Sequence, residues 1–182
     1  MIIDFRNKRR NQIIPITINN ENVDIVNSFK FLGTYISNDL KWEENTNNLT
    51  KKAHKRLYLL RQLNKFKLKK NLLVNFYRAA IESIITFSIT VWYGNIEAKQ
   101  KKKLSKIIKT SEKIIGAHLP SLENTYLERN KKKTKSILLD SLHPANTFFQ
   151  LMPSGRRYRS IKAKNNRFSN SFYPRAIRLI SN

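Results

Sequence analysis

At Trp42 the sequence changes period, and that change constrains the fold more than any other feature. Before it, Phe29-Lys30-Phe31-Leu32-Gly33-Thr34-Tyr35-Ile36-Ser37 alternates, with Phe29, Phe31 and Tyr35 on one side and Leu32 and Ile36 close by. Such alternation favours a strand with at least one buried face. Gly33 interrupts it, and a glycine inside a strand pattern marks a bulge or the close approach of another backbone, for which a nucleic acid is one candidate. Asn38-Asp39 closes the strand as a turn. After Trp42 the spacing is helical: from Asn45 or Thr46, either a plausible cap, Leu49, Ala53, Leu57, Leu60, Leu63 and Phe66 recur at steps of three and four.

The same reading extends in both directions. Ile16 to Ile18 and Val23 to Val26 flank Asn19-Asn20-Glu21-Asn22, which reads as a hairpin and, with Phe29 to Ser37, as a small antiparallel sheet. Three strands with one apolar face are marginal alone, so the sheet must lean on helices. Ile2-Ile3-Asp4-Phe5 is β-prone, begins abruptly and gives way to the cluster Arg6 to Arg10, which suggests the last strand of something longer. Downstream, Leu72, Leu73, Phe76, Ala80, Ile81, Ile84 and Ile85 predict a second, more apolar helix ending near Gly94. A third is expected over Glu97 to Ile115 with Gly116 as its stop, and a fourth from Ser121 to about Asp140, ended by His143-Pro144. The remainder lacks periodicity and is punctuated by Pro153, Gly155 and Pro174.

The predicted fold class is therefore α+β, mainly α: a short antiparallel β element, an α-helical bundle, and an irregular basic carboxyl arm. The expected units are 1–42 for the β segment, 43–116 for the bundle, 117–144 for an additional helix, and 145–182 for the arm, read as partly disordered.

Charge narrows the partner. The formal net charge is +24, and residues 1–40 hold five basic and four acidic side chains against 31 and eight from Lys41 onward. The helices and the arm therefore carry the field, and an excess of this size points to a polyanion, nucleic acid first. Gly155-Arg156-Arg157-Tyr158-Arg159-Ser160 interleaves guanidinium groups with a ring, which suits phosphate contact and base stacking, and Lys162, Lys164 and Arg167 extend the track. Lys101-Lys102-Lys103 also reads as a nuclear-localisation patch, a pattern with a high false-positive rate.

Other chemistries find little footing in the residues. Cysteine is absent, so disulfides, thiolate zinc sites and cysteine nucleophiles are excluded, and an intracellular location is the simpler expectation. Asp4, Asp24, Asp39 and Asp140 are isolated, whereas two-metal phosphoryl transfer needs clustered carboxylates. His54, His118 and His143 are scattered, and neither a dinucleotide nor a P-loop glycine pattern occurs. No catalytic residue, cofactor, metal or small-molecule substrate is expected. The most apolar run, Ala79 to Trp92, contains Glu82 and falls short of the roughly 20 apolar residues of a bilayer span, so a buried helix is expected and a membrane partner is not.

Short motifs along the whole chain carry a resemblance. Ser28 to Trp42, Arg56-Leu57-Tyr58-Leu59-Leu60-Arg61, Asn75-Phe76-Tyr77-Arg78, Trp92-Tyr93-Gly94, Leu119-Pro120-Ser121-Leu122 and Leu151 to Ser160 resemble, in order and spacing, the end of the reverse transcriptase domain of LINE-type non-LTR retrotransposons. The resemblance implies a palm edge with a primer grip at Phe31, Leu32 and Gly33 and a thumb over residues 44–115. It also implies that Lys51, Lys55, Arg56, Lys102, Lys106 and Lys109 neutralise the phosphates of a DNA or RNA duplex, with Arg156, Arg157, Tyr158 and Arg159 adding contacts from the arm. The paired aspartates of that family stand in an upstream box of the Tyr/Phe-Ala-Asp-Asp type, and no such box occurs here. What is implied is thus a nucleic-acid-binding remnant of an RNA-directed DNA polymerase without polymerase activity of its own.

The first 40 residues also resemble the amino-terminal segment of AlkB homologue 8, a tRNA-modifying protein with dioxygenase and methyltransferase activities. The His-x-Asp pair of a non-haem iron site and a glycine-rich loop for S-adenosylmethionine are both missing from the sequence. A third expectation is a relic without function. Oligomeric state is left open by all three.

Overall fold

The computed structural model describes residues 1–3 and 16–181. Asp4 and Phe5 of the strand expected at Ile2 to Phe5, and the whole Arg6 to Arg10 cluster, lie outside the described residues. Two antiparallel ribbons come first: β1 (Thr17–Ile18) pairs with β2 (Glu21–Asn22), and β3 (Ser28–Phe31) with β4 (Thr34–Ser37). They form separate two-stranded sheets, not the single sheet expected. The reason lies in the turns. Leu32 and Gly33 take φ of 44° and 86°, the pair of positive values that a two-residue hairpin turn demands. The run from Phe29 to Ser37 therefore folds back on itself instead of extending as one strand bulged at Gly33. Asn19 and Asn20, with φ of 50° and 64°, do the same for the first ribbon, and Val23 to Val26 lie outside the strands.

The buried part of the second ribbon belongs to β4. Thr34 is buried and Ile36 packs on the core, whereas Phe29 and Phe31, opposite them on β3, are each 55% exposed. The apolar face expected from the alternation is thus only half covered.

α1 (Glu43–Lys65) starts two residues before the expected caps. Trp42 enters it in the left-handed region, at φ 63°. Asn45 lies inside the first turn, where its Oδ1 accepts the Tyr35 N–H at 3.2 Å and ties β4 to the helix; Thr46 Oγ1 donates to the Glu43 carbonyl at 2.9 Å. α2 (Lys70–Ile85) carries a π-helical stretch at Tyr77–Glu82 that keeps Tyr77, Ile81 and Ile85 on the buried side. It does not run on to Gly94. The chain breaks at Thr86 to Ser88, Ser88 taking φ 48°, and resumes as α3 (Ile89–Trp92) with a 3-10 turn over Tyr93–Asn95. Carbonyls freed by the break find donors: Arg129 Nη1 donates to Thr86 O at 2.7 Å and Trp92 Nε1 to Phe87 O at 2.8 Å, which is how a buried kink avoids orphan acceptors.

α4 (Ala98–Ile115) begins where Gln100 Oε1 accepts the Glu97 N–H at 2.7 Å and ends on Gly116. α5 (Leu122–Leu139) is capped by Ser121 Oγ, which accepts the Asn124 N–H at 3.1 Å. Stripes of α1, α2, α3, α4 and the start of α5 enclose the main core, including Leu60, Tyr77, Ile81, Trp92, Leu104 and Ile107. Among the described residues no single helix is long and apolar enough to cross a membrane; α2 with α3, bent by 41°, reaches that length and composition as a pair. Leu73, Tyr77, Ile81, Ile85, Ile89 and Trp92 of this pair are core residues.

Residues 145–181 differ most from expectation. Around an irregular stretch at 149–165, a 3-10 turn (Asn146–Phe148), α6 (Asn166–Ser169) and α7 (Phe172–Ile180), which holds the apolar run Ala176 to Ile180, form a layer with its own small core. Ile137 from the end of α5 joins Ala145, Phe149, Ala176 and Ile177 there. Pro174, which punctuates the sequence, sits in the first turn of α7, where a missing N–H costs nothing.

Candidate nucleic-acid interface

α1 packs against α4 through the apolar stripes of both, and one bond joins their first halves. Lys103 Nζ, near the start of α4, donates to Asn47 Oδ1, near the start of α1, at 3.3 Å, so the two helices begin side by side. Helical spacing does the rest. Lys51 and Lys55 follow Asn47 at steps of four, and Lys106, Lys109 and Lys113 follow Lys103 at steps of three and four; all are exposed. Arg56 and Lys102 are exposed beside these rows. Among the described residues none of Lys51, Lys55, Arg56, Lys102, Lys106 and Lys109 forms an ion pair; the pairs present are Lys41 with Asp39, His118 with Glu112, and Arg175 with Glu123. The structure thus brings six of the residues singled out in the sequence to the outside of one helix pair. Asn47 and Lys103, which align the rows, were not among them, since nothing in the sequence marks a contact across 56 residues.

Two lysines of the 101–103 run are engaged with the bundle. Lys101 Nζ stands 4.9 Å from the centre of the Tyr93 ring, and Lys103 reaches Asn47.

The arginine cluster is built differently. Leu151 and Tyr158 form an antiparallel bridge, Met152 N–H donates to Arg157 O at 2.8 Å, and Arg159 N–H donates to Gln150 O at 2.7 Å. Alternation across this folded loop turns Tyr158 inward and leaves Arg157 and Arg159 outward. Arg156 is exposed at the tip. Tyr158 is half-buried, edge-on to Phe149 with centroids 6.5 Å apart. Its ring packs against the second core. Arg167 is also committed, since Nη2 donates to the Asp39 carbonyl at 2.8 Å.

Phe31, Leu32 and Gly33 are all exposed at the end of the second ribbon, Leu32 at 79%. Phe87 closes the gap under the turn, its Cε1 3.2 Å from where a Cβ on Gly33 would stand. Asp39 is a turn carboxylate. Ser37 Oγ donates to it at 2.7 Å and the Lys41 N–H at 3.1 Å, and these bonds, the Ser37 hydroxyl first, hold its carboxyl below the usual range. Among the described residues no group of three or more His, Asp or Glu side chains is placed to share a metal ion.

With this geometry in place, the family likeness can be located. Residues 42–83 match the family described as alkylated DNA repair protein alkB homolog 8, N-terminal. The match covers α1, the turn after it and most of α2, so it falls on the helical bundle and not on the first 40 residues. No curated protein and no solved structure gives a significant match.

Proposed function

We propose that the chain is an accessory nucleic-acid-binding module of the AlkB homologue 8 N-terminal type, which holds a duplex by its phosphates and contributes no chemistry of its own. The observation that carries this reading is the pair of exposed lysine rows on α1 and α4, two helices packed on one core and joined by the Lys103 to Asn47 bond. α1, half of that face, lies within the stretch similar to the AlkB homologue 8 family. The tRNA-modifying context of that protein supplies the partner, a folded RNA stem. Its dioxygenase and methyltransferase activities are not carried over, because the His-x-Asp pair and the glycine-rich loop such centres use are missing from the sequence.

A second reading, a reverse transcriptase thumb, rests on the sequence resemblance alone. Both readings require a polyanion clasp, so one experiment tests the shared claim. If the rows and the arginine loop engage six to ten phosphates, affinity for a duplex falls by roughly 10³ to 10⁵ between 50 and 200 mM salt. Replacing Lys102, Lys106 and Lys109 by alanine shallows the log–log slope by up to about three units, and Arg156, Arg157 and Arg159 likewise. A flat salt dependence would return these side chains to a solvated face. Competition between a transfer-RNA-like stem-loop and an RNA–DNA hybrid of equal length separates the two readings, the stem-loop winning under the first.

A further inference from the structure

A cleft of about 700 Å³ opens where the β4–α1 joint, α3 and the C-terminal layer meet. Leu40, Trp42, Val91 and Phe168 supply apolar and aromatic walls, and Asn95 and Arg167 add polar edges. A neighbouring hollow of about 240 Å³ shares Leu40, Asn95 and Arg167 with it and brings in Lys41. The two make one groove, aromatic toward one end and lined by Lys41, Arg167 and Glu97 toward the other.

Three features suit a planar, polar-edged ring on an anionic linkage. Phe168 and Val91 are 45% and 54% exposed, so apolar surface faces the groove uncovered. The bond from Arg167 Nη2 to the Asp39 carbonyl fixes the guanidinium beside it and leaves further N–H donors on the same plane. Lys41 lines the continuation of the groove, where a phosphodiester would displace the exposed Asp39 carboxylate from its 3.6 Å ion pair. A base paired in a duplex presents no face to such a groove; an unpaired one does.

We infer that this groove takes an unpaired nucleobase from a single strand, stacked against Phe168, with its polar edge toward Asn95 and Arg167. The inference rests on the nucleic-acid reading above but concerns a different site, in which a ring and not charge is recognised.

The test compares an oligothymidine strand of about twelve nucleotides with a strand of equal length and charge carrying abasic sites, both at about 50 mM salt. The full chain should bind the base-bearing strand about 5- to 150-fold more tightly. Phe168→Ala should bring that ratio close to one, and Phe168→Tyr should restore it. Lys102, Lys106 and Lys109 changed to alanine should weaken both strands together and leave the ratio unchanged. A ratio near one in the unaltered chain, or a ratio indifferent to Phe168→Ala while Phe168→Tyr behaves as wild type, overturns the base site. If duplex binding still falls steeply with salt in that case, only this inference fails. If neither strand nor duplex binds, the polyanion clasp fails with it.

Discussion

The helical bundle and the C-terminal layer bury apolar surface by different means. In the bundle, side chains at helical spacing on α1, α2 and α4 face one another, and Ala53, Leu60, Ile81, Ile85 and Leu104 are fully buried. In the layer, burial depends on aromatic contacts between residues that follow no period: Phe148 and Tyr173 at 4.9 Å, Phe149 and Tyr173 at 6.2 Å, Phe172 and Tyr173 at 5.2 Å. The bundle is therefore a unit that could hold its shape through its own stripes. The layer needs α5, because Ile137, with Leu138 beside it, makes its core continuous with a long helix.

That contrast predicts unequal consequences for equal deletions. Leu60→Ala removes a fully buried side chain from the larger core and should cost about 2–5 kcal/mol, lowering the whole thermal transition. Ile177→Ala opens a similar hole in the layer. Its effect should appear as faster amide exchange in α7 and residues 145–161, with the bundle amides protected as before. Equal loss of protection in both regions after Ile177→Ala would show a single cooperative unit and break the comparison.

The seam between the regions is narrow at one point. A Cβ on Gly94 would run into the Asn170 carbonyl oxygen and stand 2.9 Å from Tyr126 Oη. Gly94→Ala must push the layer away from the 3-10 turn after α3, at roughly 1–3 kcal/mol for overpacking. The amides of 166–170 should lose protection before those of α2. A neutral Gly94→Ala would mean that the layer rides loosely on the bundle.

The sequence made the periodic half of this structure legible and the contact-driven half opaque. Glu97, Gly116 and Ser121 marked the bounds of α4 and the start of α5 to within a residue, because capping is local chemistry. The start of α1 was misplaced because Asn45, a cap former by type, serves a strand ten residues away. The split at Leu32-Gly33 was hidden by Leu32, a residue that rarely accepts a positive φ. Of the candidate site, the lysines could be read from helix faces alone. Tyr158 could not, since only the bridge to Leu151 decides which way it points. Nor could the groove beside Trp42, whose walls come from residues more than 120 positions apart.

The smallest expected effect concerns how dry the bundle interior is. Tyr77 is 1% exposed, and among the described residues its hydroxyl has no hydrogen-bond partner. Burial raises its pKa well above the ordinary tyrosine value, and the carboxylates of Glu82 and Glu112 push the same way. The folded chain therefore keeps a proton that the unfolded chain gives up above about pH 10. Where the folded state binds more protons, stability falls as pH rises. The contribution of Tyr77 is thus intact below that pH and is lost progressively above it. Tyr77→Phe removes both the titration and the unpaired hydroxyl. At pH 7 it should be neutral or stabilising by up to about 1 kcal/mol, and between about pH 9.5 and 10.5 its stability should decline less than that of the parent. Urea unfolding of the two proteins at these pH values reads both effects. If Tyr77→Phe instead loses 1 kcal/mol or more at about pH 7, the hydroxyl has a buried water as its partner, and the bundle core is wetter than its apolar stripes imply.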